Sequence, residues 1–314
     1  MDWTGTRVLV TGAMGFIGRR LVGRLVQAGA RVYAGAAPEE PAERIAGLPD
    51  QAERLIFDLR DGAAVQAAVA EVVPEVVLHL AAVGVANPDV DPALVLAVNA
   101  GGVVNVLAAL REREVGRVVL TGTCYEYGAA PDGRFDPFNA YAASKVAAWA
   151  FGRMYWRKHG LPVVTVRPFQ VYGPGQPACT LVPAAIQAAL AGKDFAMTPG
   201  EQARDFVYID EAVAMTLFVL ENRSTNGIFN AGTGRVHTFN ELAEALFEGI
   251  AKEPVVEYFP MPEEIRNRYQ YYTRADMGRL SRAGYQAGDD RFKENVVRYV
   301  RDYLLPGNKY LTEV

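Results

Sequence analysis

Runs of apolar residues alternate with amphipathic stretches through the first half of this chain. The continuous apolar runs predict strands, which fall at 7–11, 31–33, 54–57, 76–80, 118–121 and 163–166. The stretches with a 3.6-residue period predict helices, which fall at 16–27, 63–71, 92–113 and 141–158. Strands that alternate with helices predict a parallel sheet with helices on both faces, and therefore a doubly wound α/β fold.

A glycine-rich turn joins the first predicted strand to the first predicted helix. Gly12, Gly15 and Gly18 permit a tight turn, close approach of the backbone to a pyrophosphate and tight helix packing. The start of the following helix faces the anion with N–H groups that have no partner within the helix. This context predicts a Rossmann-type dinucleotide site, and a turn with a purely structural role is the alternative.

The pattern changes after residue 168 to loops, helices and short strands. Residues 172–177, Tyr-Gly-Pro-Gly-Gln-Pro, are a strong turn signal. We therefore predict a dinucleotide-binding Rossmann domain at 1–168, completed by strand and helix returns from the later chain. Residues 169–314 are predicted to form mainly a smaller mixed α/β lobe that binds the substrate.

Tyr141 and Lys145 lie four residues apart in a predicted helix, so they share one face of it. An ammonium group beside a phenol lowers the pKa of the phenol from about 10 toward the working range. Such a phenol can give or take the proton of a sugar-type hydroxyl while a nicotinamide carries the hydride. Together with the glycine turn, this pair predicts redox chemistry at a carbon that bears oxygen.

The bulk composition narrows the class of protein and of partner. The 314 residues are 50% hydrophobic and 22% charged, as in ordinary soluble globular proteins. We expect no membrane span and no N-terminal signal, and hence a cytoplasmic protein. The net charge of −4, with scattered basic residues, argues against nucleic acid as a partner. The 2 cysteines and 3 histidines lie far apart, so no metal site is predicted.

The end of the second predicted strand bears on the choice between NAD and NADP. An acidic residue there would bind the 2′-hydroxyl of NAD, but residues 33–37 are Tyr-Ala-Gly-Ala-Ala. The missing carboxylate favours NADP over NAD, and Arg31 or Arg44 would reach the 2′-phosphate if the loop folds favourably. Asp58 is a candidate acceptor for the adenine amino group. The alternative is that Asp58 caps a helix, a role for which Asp61 competes.

Several short motifs resemble the extended short-chain dehydrogenase/reductase family, which is dominated by enzymes acting on nucleotide-activated sugars. The resemblance covers nearly the whole chain. The motifs are Thr-Gly-x-x-Gly-Phe-x-Gly at 11–18, His-Leu-Ala-Ala at 79–82, Asn99, Asn105, Thr123, Tyr-x-x-x-Lys at 141–145, the stretch 167–175, Arg-Asp-Phe-Val-Tyr-Ile-Asp at 204–210 and Asn-Ala-Gly-Thr-Gly at 230–234.

The resemblance implies roles for individual residues. Tyr141 would be the acid/base, Lys145 would bind the nicotinamide ribose and tune Tyr141, and Thr123 would hydrogen-bond the reacting sugar oxygen. The other residues implied for the cofactor are Gly12, Gly15, Phe16, Ile17, Gly18, Asp58, Leu59, Leu80, Ala81, Ala82, Asn99, Thr121 and Pro168. Those implied for a nucleotide-diphosphate sugar are Val83, Thr123, Tyr125, Gln170, Arg204 and Arg268. A homodimer formed through the Tyr141 helix is also implied.

The residues after Thr123 bear on the reaction. Dehydratases that this chain resembles carry an Asp-Glu pair there, whereas this chain has Cys124 and Tyr125, which disfavours dehydration by that route. Cys124 is either a proton donor or base, or a small buried apolar residue. Glu126, in an extended segment, would point to the opposite face.

The chemistry that remains needs only Tyr141, Lys145, Thr123 and a nicotinamide. Our first prediction is a 4-ketoreductase, which reduces the 4-keto group of a nucleotide-diphosphate sugar. The alternative is a 4-epimerase that retains NAD. A catalytically silent NAD(P)-binding regulator is a further alternative.

Overall fold

Strands and helices alternate from the start of the chain to the sixth strand. The computed structural model describes residues 2–85, 87, 89–128, 134–190, 195–253, 256–266 and 269–307. Its strands are β1 (Arg7–Thr11), β2 (Arg31–Ala36), β3 (Glu53–Ile56), β4 (Val76–His79), β5 (Arg117–Thr121), β6 (Val163–Pro168), β7 (Gln170–Tyr172), β8 (Phe195–Met197), β9 (Ala203–Arg204), β10 (Phe206–Tyr208), β11 (Gly227–Ala231), β12 (His237–Thr238), β13 (Val256–Tyr258) and β14 (Tyr272–Thr273).

The helices follow the same alternation and then dominate the second half. They are α1 (Phe16–Gln27), α2 (Ala42–Ala46), α3 (Gly62–Val72), α4 (Pro92–Leu96), α5 (Gly102–Leu110), α6 (Ala140–His159), α7 (Leu181–Leu190), α8 (Ile209–Glu221), α9 (Phe239–Gly249), α10 (Glu263–Arg266), α11 (Gly278–Arg282) and α12 (Phe292–Tyr299). A π-helical segment, Ala97–Gly101, joins α4 to α5, and another, Val300–Leu304, follows α12. A 3-10 turn spans Cys124–Tyr127.

Seven parallel strands form the central sheet, in the order β11-β6-β5-β4-β1-β2-β3. Along β1, Val8 and Val10 belong to the core shared with α1 and α8, whereas Leu9 belongs to the core shared with α3, α5 and α6. Both faces of the sheet are thus covered, which explains why the strands read as continuous apolar runs. The predicted doubly wound, Rossmann-type α/β fold is confirmed.

The later chain also contributes to this sheet, because β11 pairs with β6 at its edge. The remaining strands form small sheets in which β7 pairs with β10, β8 pairs with β13, and β9 lies between β12 and β14. These small sheets hold the segments in which Gln170 and Arg204 lie. The division of the chain into two lobes at residue 168 stays a prediction.

The predicted helix at 92–113 differs most from the structure, since it is divided into α4, a π-helical segment and α5. We expected no segment long and apolar enough to cross a membrane, and this expectation is wrong. Pro92–Leu110 is 19 residues long with a mean hydropathy of 2.1. The core helix of a soluble protein passes the same test. Here the segment packs against α3 and α6, and Asn99 and Asn105 within it hydrogen-bond to protein groups.

Candidate active site

The glycine-rich turn closes tightly against the end of β4. Gly12 has φ +68°, and a Cβ added there would lie 2.6 Å from the backbone nitrogen of Ala81. A Cβ on Gly18 would collide with the carbonyl oxygen of Gly12. Gly15 has extended backbone and precedes α1, whose first two residues are the predicted cofactor contacts Phe16 and Ile17. The turn therefore has the close-packed backbone that a pyrophosphate cradle requires.

The other predicted cofactor residues gather at the carboxyl ends of the central strands. Leu80, Ala81 and Ala82 follow β4, Thr121 ends β5 and Pro168 ends β6. Val83, a residue predicted for the substrate, comes directly after Ala82. Ligands of open α/β sheets bind at this edge. The residues present therefore fit a dinucleotide across the carboxyl ends of the strands.

Arg44, and not Arg31, lies beside the glycine turn. The Arg44 guanidinium donates to the carbonyl oxygen of Met14 at 2.9 Å and pairs with Glu40 at 2.6 Å. Arg31 is instead in an exposed ion pair with Glu53 at 2.7 Å. The segment after β2 thus brings Arg44, together with its partner Glu40, to the glycine turn.

Asp58 and Asp61 have separate roles. Asp61 caps α3, because its carboxylate accepts from the backbone nitrogens of Ala63 and Ala64. Asp58 accepts hydrogen bonds from the Arg60 guanidinium, which lower the pKa of the Asp58 carboxyl. The capping alternative for Asp58 is therefore wrong, and its contact with adenine stays a prediction.

Leu59 and Asn99 both hold loops of the site through hydrogen bonds. The carbonyl of Leu59 accepts from the Asn105 side chain at 2.8 Å. Asn99 is fully buried, and its amide oxygen accepts from the backbone nitrogen of Val83 at 2.9 Å. Its amide nitrogen donates to Ser144, which in turn donates to the carbonyl of Tyr141. Asn99 therefore ties the loop after β4 to the helix that carries Tyr141.

Tyr141 and Lys145 lie in the first turns of α6, which begins where Asn139 accepts from the backbone nitrogen of Ala142. Both side chains are buried, and the Lys145 ammonium lies 5.7 Å from the centre of the Tyr141 ring. Lys145 donates to the carbonyl of Thr121 at 2.8 Å. The helix therefore brings the predicted pair together at the end of β5.

The predicted lowering of the Tyr141 pKa is wrong for this structure. Burial, followed by the nearby Cys124 thiol, raises the pKa of Tyr141, and a hydrogen bond with the Thr123 side chain only partly offsets these effects. Burial lowers the pKa of Lys145 to about 8. Desolvation of both groups thus outweighs the attraction that the helical spacing alone suggested.

Glu126 is an important residue of the site that the sequence analysis placed wrongly. The chain forms a 3-10 turn after Thr123 and not an extended segment, so Glu126 folds back beneath Thr123. Its carboxylate accepts from the backbone nitrogen of Thr123 at 2.7 Å and pairs with Arg167 at 2.5 Å. The spacing Thr-x-x-Glu at 123–126 is the capping-box signature, which could have identified this contact from the sequence.

The Glu126–Arg167 pair is enclosed by protein. The two side chains are 0% and 1% exposed, and the Arg167 guanidinium lies 4.4 Å from the centre of the Phe135 ring. It also donates to the Tyr127 hydroxyl at 3.0 Å. A buried ion pair with these additional contacts can hold Thr123 in a fixed position.

Cys124 and Tyr125 lie beside Arg204. Burial raises the pKa of both the Cys124 thiol and the Tyr125 phenol to about 12, although the Arg204 charge opposes it in each case. The thiol is therefore neutral at ordinary pH. The remaining cysteine, Cys179, is exposed.

Arg204 is 7% exposed and lies over the rings of Phe239 and Tyr269, at 5.6 and 5.3 Å from their centres. The neighbouring Asp205 is fully buried and accepts from the backbone nitrogen of Gly234 at 2.8 Å. The backbone nitrogen of Gln170 donates to the carbonyl of Asp205 at 3.1 Å. These contacts bring Gln170 and Arg204 to one region, while Arg268 lies outside the described residues.

Buried His79 should make the stability of the folded protein depend on pH. Its Nδ1 lies 2.9 Å from the Thr11 hydroxyl, and burial, aided by the Lys145 charge, lowers the pKa of His79 from its usual 6.5 to about 3. Below pH 6.5 His79 therefore binds a proton in the unfolded chain but stays neutral in the folded chain. The free energy of unfolding thus decreases as the pH falls toward 3.

Between pH 7 and pH 5 we expect wild type to lose about 2 kcal/mol more unfolding free energy than His79→Asn, whose amide can still bond to Thr11. Urea unfolding of both proteins at the two pH values measures this difference. Parallel losses in the two proteins would show that His79 does not cause the pH dependence.

Comparison with known proteins agrees with this geometry. Residues 8–232 match the model of the NAD dependent epimerase/dehydratase family. ADP-L-glycero-D-manno-heptose-6-epimerase of Nitratidesulfovibrio vulgaris is 34% identical over 194 residues, which is 57% of this chain and 58% of that protein. The corresponding enzyme of Alkalilimnicola ehrlichii is 35% identical over 54% of each chain. The matches thus span little more than half the length of these relatives.

Solved structures match over nearly the whole chain. UDP-glucose 4-epimerase of Thermus thermophilus, in complex with NAD, is 30% identical over 96% of this chain and 99% of its own, with a TM-score of 0.80. UDP-glucose 4-epimerase of Thermotoga maritima with UDP-glucose is 25% identical over 96% and 99%, with a TM-score of 0.82. The chain, an extended short-chain dehydrogenase/reductase, belongs to the NAD-dependent epimerase/dehydratase family.

Proposed function

We propose that this protein is a nucleotide-sugar 4-epimerase that retains its nicotinamide dinucleotide. The observation that carries the proposal is that α6 places Tyr141 beside both Lys145 and the Thr123 side chain, to which Tyr141 hydrogen-bonds. Glu126, the carboxylate next to Thr123, is occupied by the Thr123 backbone and Arg167. A single acid/base suits oxidation and re-reduction at one carbon and does not suit elimination of water.

The comparisons favour the epimerase over the 4-ketoreductase that we placed first from the sequence. The relatives and structures named above are epimerases, and the match to the Thermus enzyme covers 96% of the present chain. Reductase and epimerase share the same acid/base site, so the sequence motifs did not separate them.

The chemistry assigned to the protein is a proton transfer that is later reversed. Tyr141 takes the proton of the sugar hydroxyl, and Thr123 holds the oxygen in place. A nicotinamide held at the carboxyl ends of the strands would supply the reversible hydride transfer at the same carbon. After the keto sugar has turned its other face, Tyr141 gives the proton back to the oxygen, so protons and electrons balance over the cycle.

Burial of the Tyr141 phenol disfavours its loss of a proton. In the proposed mechanism Lys145, which would also hold the nicotinamide ribose, favours the phenolate through its positive charge. Arg204 is proposed to bind the diphosphate, because a guanidinium fork matches phosphate oxygens and its charge is only weakly solvated when buried. Gln170 and Arg268 are proposed as further substrate contacts.

Arg44 is proposed to donate hydrogen bonds to the 2′-phosphate of NADP. Because a hydrogen bond to a charged group contributes about 1.5–3 kcal/mol, we expect Arg44→Ala to lower the ratio of NADP to NAD in the protein about tenfold. Mass spectrometry of the cofactor released on denaturation measures the ratio. Arg31→Ala, which removes the other arginine considered, is the control, and an equal fall in both variants would refute this role for Arg44.

A homodimer is proposed to form through the outer faces of α4 and α6. These helices pack side by side and expose Leu96, Phe151 and Met154, which are 58%, 41% and 37% accessible. An apolar surface of this kind on a soluble enzyme is typical of a protein–protein interface.

A second candidate is epimerisation at C6 of an ADP-heptose. It is favoured by the 34% identity to the heptose epimerase of Nitratidesulfovibrio vulgaris. The proposed proton transfer is the same, and only the position of the sugar differs.

The test is conversion of pure substrates by the purified protein without added cofactor. UDP-glucose, UDP-galactose and ADP-heptose are incubated separately, and the epimers are separated by chromatography. Formation of a 4-epimer with cofactor still bound supports the proposal, whereas turnover of ADP-heptose alone selects the second candidate. Oxidation of added NADPH only when a 4-keto nucleotide sugar is supplied would select the ketoreductase, and a protein that holds cofactor but is inert with all of these substrates would favour the regulator.

A further inference from the structure

A cavity of about 280 Å³ lies on the far side of α6 from the apolar dimer face. It is bounded by α6, β6, the start of β11 and α11. Its side chains include three arginines and two tryptophans, which are Arg153, Arg157, Arg279, Trp149 and Trp156. No acidic residue lines it within the described chain.

The three arginines have no acidic partner among the described residues, whereas several arginines elsewhere do. Arg7, Arg31, Arg44, Arg60 and Arg167 all form ion pairs with carboxylates. No ion pair joins Arg153, Arg157 or Arg279 to a carboxylate in the part of the chain that the structure describes. Like charges gathered around one cavity repel each other, and a bound anion would relieve that repulsion. The net charge of the whole protein is −4, so this positive cluster is local.

The tryptophans add a flat apolar surface beside these charges. Trp156 is 37% exposed, and the Arg153 guanidinium lies 5.9 Å from the centre of the Trp149 ring. A planar ring stacks favourably on an indole, and guanidinium forks match phosphate oxygens. The volume is close to the lower end of small-ligand pockets, which begin at about 300 Å³.

The cavity lies further along α6 than the catalytic pair. Lys145, Trp149 and Trp156 share one side of the helix, but Trp156 is 11 residues beyond Lys145, which is about 16 Å along the axis. Neither Tyr141 nor Lys145 lines the cavity, and Met154 lies on the opposite, exposed side of the helix. A ligand on the Trp156 indole would therefore touch neither the catalytic pair nor the proposed dimer surface.

We propose that this cavity is a second binding site and that it takes a nucleoside phosphate. The base stacks on the exposed indole, and the phosphate lies among the three guanidinium groups. The proposal does not depend on the epimerase activity.

The experiment is calorimetric titration of ADP into the purified protein and two double variants. Arg153→Ala/Arg157→Ala removes two charges from the cavity. Arg24→Ala/Lys158→Ala removes two exposed charges elsewhere and is the matched control. We expect two classes of ADP site in wild type and in the control. In the cavity variant one class should bind at least about tenfold more weakly.

Two further measurements distinguish the contribution of the base to binding from that of the phosphate. Trp156→Ala should weaken the same class of ADP site, and inorganic phosphate should bind it more weakly than ADP does. Equal ADP titrations for wild type and the cavity variant would overturn the site. Inorganic phosphate binding as tightly as ADP, with Trp156→Ala unchanged, would overturn the assignment of a nucleoside phosphate.

Discussion

Tyr141→Phe is expected to lower kcat for epimerisation about 10³-fold, within the range by which a positioned acid/base accelerates proton transfer. The variant loses one hydroxyl from a side chain that is otherwise packed as before, so folding and cofactor retention should stay at the wild-type level. KM should change little, because the phenol acts on the reacting oxygen and not on the diphosphate. Steady-state kinetics with the nucleotide sugar that the wild-type protein converts, together with assay of the released cofactor, measure these quantities.

Tyr155→Phe is the matched control for this prediction. Tyr155 is also buried on α6, and its ring lies 5.2 Å from that of His159, away from the Tyr141 end of the helix. Loss of this hydroxyl should leave kcat within about twofold of wild type. If Tyr141→Phe kept more than a tenth of the activity, Tyr141 would not be the acid/base.

Glu126→Gln is expected to lower the free energy of unfolding by about 3–5 kcal/mol, because it leaves the Arg167 charge buried without a partner. The glutamine oxygen can still accept from the Thr123 backbone, so the variant removes the charge and keeps the neutral hydrogen bond. Denaturant unfolding of wild type and variant measures the loss. Since native proteins have only about 5–15 kcal/mol of stability, this is a large effect.

A double-mutant cycle decides whether the pair is the cause. In Glu126→Gln/Arg167→Met no buried charge remains, so we expect the double variant to recover most of the stability that Glu126→Gln loses. The cycle also keeps the test valid if Glu126→Gln folds poorly. Losses that simply add in the double variant would contradict coupling between Glu126 and Arg167.

The sequence was sufficient for most of the fold because burial leaves a regular pattern. The bounds of α1 agree at both ends with the predicted 16–27, where an apolar face and a glycine turn coincide. By contrast, β2 continues to Ala36, beyond the predicted residue 33. Its last residues, Ala-Gly-Ala, have low strand propensity, but pairing with β1 and β3 on both sides keeps them extended.

The candidate site was predictable where a motif fixes a short stretch of backbone. The structure places Tyr141, Lys145 and Thr121 together, as the helix spacing and the strand end required. The partnership of Glu126 with Arg167 joins residues about 40 positions apart. Only the packing of β6 against the turn after β5 brings them together, so no local pattern could indicate it. The prediction of a lowered Tyr141 pKa was wrong for a related reason, since burial is a property of the folded site.

The unequal burial of the two cysteines has a practical consequence. Cys124 is enclosed, and its thiol has a pKa of about 12, whereas Cys179 is exposed. Only a thiolate reacts readily with maleimide, so a brief treatment should attach one label to each native chain, at Cys179. Fluorescent dyes or spin labels can thus be attached at a single position without any prior substitution, and binding can be followed spectroscopically on the natural sequence.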